Sequence, residues 1–526
     1  MDLGSLGSRS MGDTQARAKL NRPARTPARS TEPERDVAWT QAIVVTVVAG
    51  LARLVIGALT PLFPDETYYW EWSRRLAWSY FDHPPMIAWL IRGGTAIAGD
   101  TPFGVRLLPI LAGVLSGCFV AMSARRLGGG KAALTAALIF ALMPLSAAGL
   151  ILATPDAPLF AAAAGCAYCV LRAVDATDTR WWCLAGLGLG LALLSKYTGV
   201  LLALGVLVGV LARRELRRQL VTPGPYLAIV IALAVFAPVI MWNAKHEWAS
   251  FAFQLRHGLG GVGGSILGRE LEMLGGQLAL VTPIVFVMMV IAAARSTSST
   301  RALLAIAATV VFAFFVYSAT RRRVEANWPA LAYVPGVVLL AAHVAGTSWR
   351  NWLRAGLALA GLLTAVTYLN TFTPVLPVPA RRDPVARSAG WSDLAAAVHR
   401  IHGPRLPISS YRTWVAADRY QETSQLAFHL PDNPEVFALN LSTRPNQYDF
   451  WPRFTDRAQP RDGLILVTDD AERNVTVETL RAHFERAERD SLVILARNGD
   501  PVKYLRIWVL DRWRGTWPES QLRSRP

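Results

Sequence analysis

Residues 61–91, PLFPDETYYWEWSRRLAWSYFDHPPMIAWLI, gather Asp65, Glu66, Glu71, Asp82 and His83 among aromatics and prolines. Carboxylates beside an imidazole suit proton transfer, anion binding or metal ligation. The cluster directly follows the first long apolar segment. Ionisable groups at a bilayer boundary are costly to desolvate, so their concentration here marks a reaction site. Asp65 and Glu66 follow Pro64. A carboxylate at this place can take a proton from an acceptor hydroxyl or amine; it can equally cap the helix that begins at Glu66. Capping accounts for one acid and leaves the other acids and the histidine of the same loop unexplained. Pro84-Pro85 stiffens the turn after Asp82-His83 and starts the next helix, so both side chains project from a fixed backbone. His83 can bind a phosphate oxygen, transfer a proton or, with Asp82, ligate a divalent metal.

Three further places carry charge where chemistry can use it. Asp156, in Thr154-Pro155-Asp156-Ala157-Pro158, opens a helix, where an acid also serves as a cap. Lys196, in LLSKYTG, ends an apolar helix, where snorkelling competes with phosphate binding. Arg321-Arg322-Arg323 precedes Val-Glu-Ala-Asn327-Trp328-Pro.

The elements that position these residues are membrane helices. The chain has 526 residues, 52% of them hydrophobic and 17% charged, and a mean hydropathy of +0.30. That is too apolar for a soluble enzyme, and the apolar residues come in long blocks. About eleven spans are expected, near 38–60, 103–125, 131–149, 156–173, 181–195, 197–212, 224–243, 277–294, 302–319, 329–346 and 354–371. The formal charge of +17 reflects basic inter-helix loops, as the positive-inside rule requires, rather than nucleic-acid binding. Arg125, Arg126 and Lys131, then Arg172 to Arg180, then Arg213, Arg214, Arg217 and Arg218 fall on one side only if 181–212 is two short spans turning at Ser195-Lys196-Tyr197. Residues 84–98 are short, contain Arg92 and read as an interfacial helix. The outer loops are then 61–102, 150–155, 195–197, 244–276 and 320–328. Arg321 to Arg323 break the charge rule there, which requires either a different topology or an anionic ligand; the ligand is favoured, since phosphate fits guanidinium.

Residues 1–36, with Arg9, Arg17, Lys19, Arg22, Arg25, Arg29 and Arg35, read as a disordered basic cytoplasmic tail. No cleavable signal peptide is evident. Residues 37–372 form the transmembrane catalytic domain. Residues 373–526 form a soluble α/β domain on the outer, periplasmic side, with strand-like runs at 406–411, 463–468, 491–496 and 504–510 and helical ones at 391–401 and 475–486. Cys118, Cys166, Cys169 and Cys183 lie in apolar segments and are read as small packing residues. The glycine run 258–265 lacks a GKS/T ending, so it is a flexible outer loop able to close over a ligand rather than a P-loop.

The series DETYYWEWSRRL, SYFDHPPM, Asp100-Thr-Pro-Phe-Gly-Val-Arg106, TPDAPL and LLSKYTG resembles the GT-C membrane glycosyltransferases. The similar branch holds the dolichyl-phosphate-mannose protein mannosyltransferases and the bacterial lipid A aminoarabinose transferases. Trp242-Asn243-Ala-Lys-His246-Glu-Trp248, Glu325-Ala-Asn327-Trp328-Pro329, Gly390-Trp391 and Asn446-Gln-Tyr448-Asp-Phe-Trp451 look like motifs of the bacterial members. The combination is most similar to lipid A galacturonosyltransferase-like members, over about residues 38–455. The resemblance implies a sugar taken from a polyprenyl-phosphate carrier at the outer face of a bacterial inner membrane, with no nucleotide sugar used directly. It implies Asp65 as catalytic base, with Asp156 as a second acid and Glu66 beside them. It implies that His83 contacts the donor phosphate, and Lys196, Arg321, Arg322 and Arg323 are the further cations expected to hold it. Substrate contacts would come from Asp82, Tyr68, Tyr69, Asn243, His246, Asn327 and Trp328. His83 stands where the aminoarabinose transferases have lysine, which leaves its protonation open. The sequence identifies no cofactor with certainty, and a divalent metal at Asp82 and His83 is left open.

These expectations agree with the chemistry. Breaking a sugar–phosphate bond passes through an oxocarbenium-like state, and fixed cations stabilise the departing phosphate. One direct displacement predicts inversion. The acceptor would be lipid A, a core sugar or another envelope glycan. A protein O-glycosyltransferase is the nearest alternative. A transporter or flippase for lipid-linked sugars is another, but it would carry mid-membrane ionisable groups and an inverted repeat, and neither is evident.

Overall fold

In a computed structural model of the chain, residues 36–176, 178–261, 263–345, 348–403, 411–440, 444–471 and 475–517 are described. The basic arm 1–36, apart from Asp36, and most of the expected strand 406–411 lie outside them. The described residues from 38 to 517 form one compact unit.

The chain enters with α1 (Val37–Leu59), then α2 (Pro64–Arg74), α3 (Met86–Ala98) and α4 (Pro102–Leu142). α2 starts where the sequence says it should. Pro64 takes the first position, Asp65 and Glu66 fill the first turn, and Glu66 accepts from the Phe63 N–H at 2.9 Å. α3 is 13 residues long. α4 is capped by Thr101, which accepts from the Gly104 N–H. It breaks at Gly128 and Gly129, the latter at φ +74°, a value that suits glycine. The two expected spans at 103–125 and 131–149 are thus largely the two arms of α4, followed by the one-turn α5 (Pro144–Gly149).

Next come α6 (Asp156–Ala176), α7 (Thr179–Ser195), α8 (Val200–Ala212), the short α9 (Arg214–Arg217) and α10 (Gly224–Lys245). α7 ends at Ser195, Lys196 is extended, and a 3-10 turn leads into α8. The turn therefore falls where the loop charges placed it. α7 packs through small residues: a Cβ on Gly186 would meet the Ala228 backbone at 2.4 Å, and one on Gly188 would meet Cys166 at 3.0 Å. Cys166 serves that contact as a compact side chain.

α11 (Ala249–Leu259), α12 (Ile266–Val281), α13 (Pro283–Ala294), α14 (Ser299–Arg321), α15 (Tyr333–Val344) and α16 (Arg350–Phe372) complete the helical part. The expected span at 277–294 is instead divided: α12 and α13 meet at 99° at Thr282. The cause is local, because Pro283 disfavours a helical Thr282, which adopts φ +74°. By length and composition six helices can cross a membrane, or seven if the bent pair counts as one, among the described residues. α1 and α10 turn Val44, Val48, Leu51, Val55, Ile229, Val230 and Leu233 outward, as a lipid-facing surface requires. The protein is a polytopic α-helical membrane protein with a C-terminal α/β domain.

That domain holds α17 (Trp391–His402), β1 (Thr413–Ala417), α18 (Tyr420–His429), β2 (Val436–Ala438), α19 (Phe454–Arg457), β3 (Gly463–Asp469), α20 (Val477–Arg481), β4 (Phe484–Arg497) and β5 (Asp500–Trp513). The sheet runs β2-β1-β3-β5-β4, parallel across β2, β1 and β3 and antiparallel beyond. The helix expected over 475–486 is only the short α20, because Phe484 already belongs to β4. β4 and β5 form one long hairpin through Asn498 and Gly499, at φ +51° and +90°, the Asn-Gly turn that matches strand twist.

The sheet and the segment 61–91 share a core. Leu62, Tyr68, Trp70 and Trp72 pack with Trp391, Leu394, Leu426, Ile465, Leu505 and Ile507. α18 also bonds to α2 directly: Thr67 Oγ1 and Ser424 Oγ are 2.9 Å apart, and Gln425 Nε2 donates to the Leu62 carbonyl at 3.0 Å. The loop with the acids is thereby held between the helices and the sheet.

Candidate functional site

Asp65 and Glu66 leave the first turn of α2 in different directions. Glu66 is buried and takes a bidentate pair from Arg106 of α4, at 2.7 and 2.5 Å. The remaining Arg106 donors go to Gly57, Thr60 and Pro61. Glu66 also accepts the N–H groups of Phe63 and Ala153 at 2.9 and 2.8 Å. It thus fastens the loop carrying Asp65 to the loop carrying Asp156. With every lone-pair direction in use, Glu66 positions these loops and does not reach the cavity.

Asp65 faces a cavity of about 1170 Å³ that also takes in Tyr69, Asp82, His83, Asp156 and Lys196. Its Oδ1 accepts from the Tyr420 hydroxyl at 3.1 Å. Burial pushes the Asp65 carboxyl above the ordinary aspartate value, opposed by Arg387, the Tyr420 hydrogen bond and Arg444. The carboxylate is therefore a stronger base than a solvated one.

Asp156 does not cap α6. Its oxygens take Lys196 Nζ and Asn327 Nδ2, both at 2.7 Å. Lys196 folds inward to this partner rather than snorkelling. Asp82 is gripped on both oxygens, by Tyr68 Oη at 2.6 Å and by Arg444 at 2.8 Å. Its backbone carbonyl accepts from Gln254. Burial works against the Arg444 charge, but Asp82, Tyr420 and Tyr68 outweigh it and raise its pKa.

His83 lines the cavity edge-on to Tyr69, and its Nδ1 is buried with no hydrogen-bond partner among the described residues. Burial, Lys196, His257 and Arg444 hold its pKa well below the ordinary histidine value. His83 is neutral at pH 7 and offers a hydrogen bond, not a charge. His257, also on the wall, is lowered to about 4 by burial and by Arg322, Arg444 and Lys196. A divalent cation does not suit this donor set. Both Asp82 oxygens are engaged, Lys196 and Arg444 stand nearby, and no three His, Cys, Asp or Glu side chains converge among the described residues.

The arginine triplet divides. Arg322 and Arg323 line the cavity, with Asn327 and Trp328. Arg322 donates to the Arg256 carbonyl and lies over Trp328, while Arg323 pairs with Glu272. Arg321 turns away to the Tyr317 hydroxyl. Tyr68 is buried behind the wall, where its hydroxyl also accepts the Gln447 N–H. Asn243 is buried, bonded to the Val239 carbonyl and the Phe251 N–H. His246 stacks on Trp242, and its ring nitrogen meets the Trp242 carbonyl. These three support the wall rather than line it. The lining also includes the apolar side chains Leu193, Leu201, Leu233, Phe236, Ile240 and Phe314. Gln254, His257, Arg387, Tyr420 and Arg444 complete the site from segments whose sequence carries no local signal of chemistry.

Residues 82–242 match the family model of the dolichyl-phosphate-mannose-protein mannosyltransferases. The lipid A galacturonosyltransferase RgtD of Rhizobium johnstonii is 30% identical over 341 residues, 60% of this chain and 67% of that protein. The chain belongs to the GT-C membrane glycosyltransferases. The undecaprenyl phosphate-alpha-4-amino-4-deoxy-L-arabinose arabinosyl transferase of Edwardsiella ictaluri is 30% identical over 216 residues, 37% of this chain and 39% of that protein. The fold of this glycosyltransferase is shared with ArnT from Cupriavidus metallidurans bound to undecaprenyl phosphate. The TM-score is 0.61 at 19% identity, over 91% of this chain and 100% of that one.

Proposed function

We propose that this glycosyltransferase moves a sugar from a polyprenyl-phosphate carrier to an envelope acceptor, lipid A or a linked sugar, at the periplasmic face of a bacterial inner membrane. The observation that carries the reading is a single cavity joining a half-buried carboxylate, a group of cations and an apolar arm. The two relatives named above, one acting on lipid A and one on an undecaprenyl-phosphate-linked sugar, support it.

The carrier's first isoprene units lie along Leu201, Leu233, Phe236 and Ile240, with the phosphate at Lys196 and Arg322. His83, on the cavity wall, offers that phosphate a neutral hydrogen-bonding partner. Asp65 takes the proton of the acceptor hydroxyl as its oxygen attacks the anomeric carbon. The bond from that carbon to the phosphate oxygen breaks, and the electron pair leaves with the phosphate. Fixed cations in a water-poor cavity stabilise the charge that develops there. Attack opposite the leaving phosphate inverts the anomeric centre.

The test uses purified protein in detergent, radiolabelled polyprenyl-phosphate sugars and envelope lipid as acceptor. Transfer by the wild type, abolished in a folded Asp65→Asn variant, is the expected result. Equal transfer by both proteins removes Asp65 as the base. Movement of the carrier across liposomes without transfer replaces the enzyme reading with a transporter.

A further inference from the structure

Arg387 is the cation that the mechanism above does not use. It sits in the 3-10 turn Pro384–Ser388, between α16 and α17, and lines the cavity that contains Asp65. Of the other cavity acids, Asp82 has Arg444 and Asp156 has Lys196, while Glu325 faces Arg322 and Arg323. Arg323 is paired with Glu272. The Arg387 guanidinium is exposed and has no ion pair or hydrogen bond among the described residues.

Its placement is nevertheless built. Asp383 starts the turn by accepting the Val385 N–H at 3.0 Å, and the same buried carboxylate is held by Arg497 of β4 and Asn370 of α16. The Arg387 carbonyl accepts from Trp391 Nε1 at 2.9 Å. A buried ion pair and a tryptophan thus fix the backbone of a residue whose side chain is left free. Near Asp65 that charge opposes basicity. A cation that weakens the base by its position is explained by what it binds. A guanidinium with all its N–H groups free fits a phosphate or carboxylate bidentately.

We propose that Arg387 selects the acceptor, receiving a phosphate or carboxylate carried beside the hydroxyl that Asp65 deprotonates. The proposal rests on the glycosyltransferase reading of Asp65. It makes Arg387 a specificity residue on the acceptor side of the cavity, distinct from the donor-phosphate cations on the helical side.

The experiment uses full-length protein in nanodiscs and three preparations of one envelope lipid extract: native, phosphatase-treated and carboxyl-reduced. Binding of each, and of undecaprenyl phosphate, is measured for wild type, Arg387→Gln and Arg387→Lys. Wild type is expected to lose about tenfold or more in affinity after one of the two treatments, which identifies the anion as phosphate or carboxylate. Arg387→Gln should bind the native extract as weakly as the wild type binds the treated one, and should be indifferent to that treatment. Arg387→Lys should recover part of the preference. Undecaprenyl phosphate binding should not change. The proposal is overturned if wild type does not discriminate among the preparations, if Arg387→Gln stays as sensitive as wild type, or if it loses undecaprenyl phosphate. A shifted pH profile of transfer with acceptor discrimination intact would make Arg387 a tuner of Asp65 instead. Because binding is read directly, an inactive protein that still discriminates would sink the transfer reading and leave the anion site standing.

Discussion

Asp65 and Glu66 are adjacent in sequence and opposite in environment. Glu66 is sealed in a corner where Arg106 and two backbone N–H groups exhaust its oxygens. Asp65, one residue earlier on the same helical turn, keeps one tyrosine bond and looks into an open cavity. The helix period sends the two side chains to different sides. The pair shows how one dipeptide holds both a structural fastener and the carboxylate proposed as the base. The fastener makes that carboxylate useful, because Glu66 ties Phe63 to Ala153 and so sets Asp65 against Asp156.

The sharpest way to break this comparison is to exchange the effects of the two residues. Glu66→Ala leaves Arg106 as an uncompensated buried charge and should cost about 3–5 kcal/mol of stability. Thermal unfolding in detergent checks this. Asp65→Asn should leave the melting temperature the same or higher and lower kcat by about 10²–10⁴-fold. If Asp65→Asn unfolded the protein and Glu66→Ala only slowed it, the two assignments would have to be reversed.

A smaller effect separates the helical wall from the roof of the cavity. Lys196→Met removes the cation from Asp156 at the donor side and should reduce kcat by about a hundredfold, with acceptor binding kept. A loss confined to acceptor affinity would move the donor phosphate away from Lys196.

How much of this was legible in the sequence follows the same division. Asp65, Asp82, His83, Asp156 and Lys196 could be found because each stands at a helix end marked by proline or by the close of an apolar run. Their convergence rests on fold and needed the resemblance. Glu66 was legible as an acid but not as a fastener, since its partner Arg106 lies 40 residues away. Tyr420 and Arg444 reach Asp65 and Asp82 across 355 and 362 residues, and nothing local in their segments announces it. The helix pattern over 475–486 misled because a short amphipathic run cannot reveal that the sheet will claim Phe484. Two missed features did have signals: Thr282-Pro283 for the bend between α12 and α13, and Asn498-Gly499 for the β4–β5 hairpin.

The pH dependence sharpens the comparison further. The folded-state pKa of Asp65 is raised by burial, so the base is lost as pH falls through a value above the ordinary aspartate range. The acid limb of kcat/KM, which reports the free enzyme, should lie there. The sign for stability is opposite: the fold favours the protonated carboxyl, so Asp65 contributes stability at low pH that disappears as pH rises through its folded pKa. Asp65→Asn should remove that dependence. Rates and melting temperatures measured across the acid range test both statements, and an acid limb at the value of a solvated aspartate would contradict them.

The smallest effect belongs to His83, and it separates shape from charge. Burial and the nearby Lys196, His257 and Arg444 charges hold its folded pKa well below the ordinary histidine value, so it should leave no inflection in the rate across the ordinary histidine range. His83→Gln then replaces one neutral hydrogen-bonding group with another at a cost of about 1 kcal/mol or less, less than tenfold in kcat, with the profile's shape unchanged. His83→Lys would instead install a fixed charge beside Lys196 and Arg444, where a third cation is unfavourable until the donor phosphate is present. It should bind undecaprenyl phosphate more tightly and be less stable without it. If His83→Gln were as damaging as Lys196→Met, the imidazole would have to be charged in the working enzyme, and the burial that holds its pKa down would have to be relieved when the donor binds.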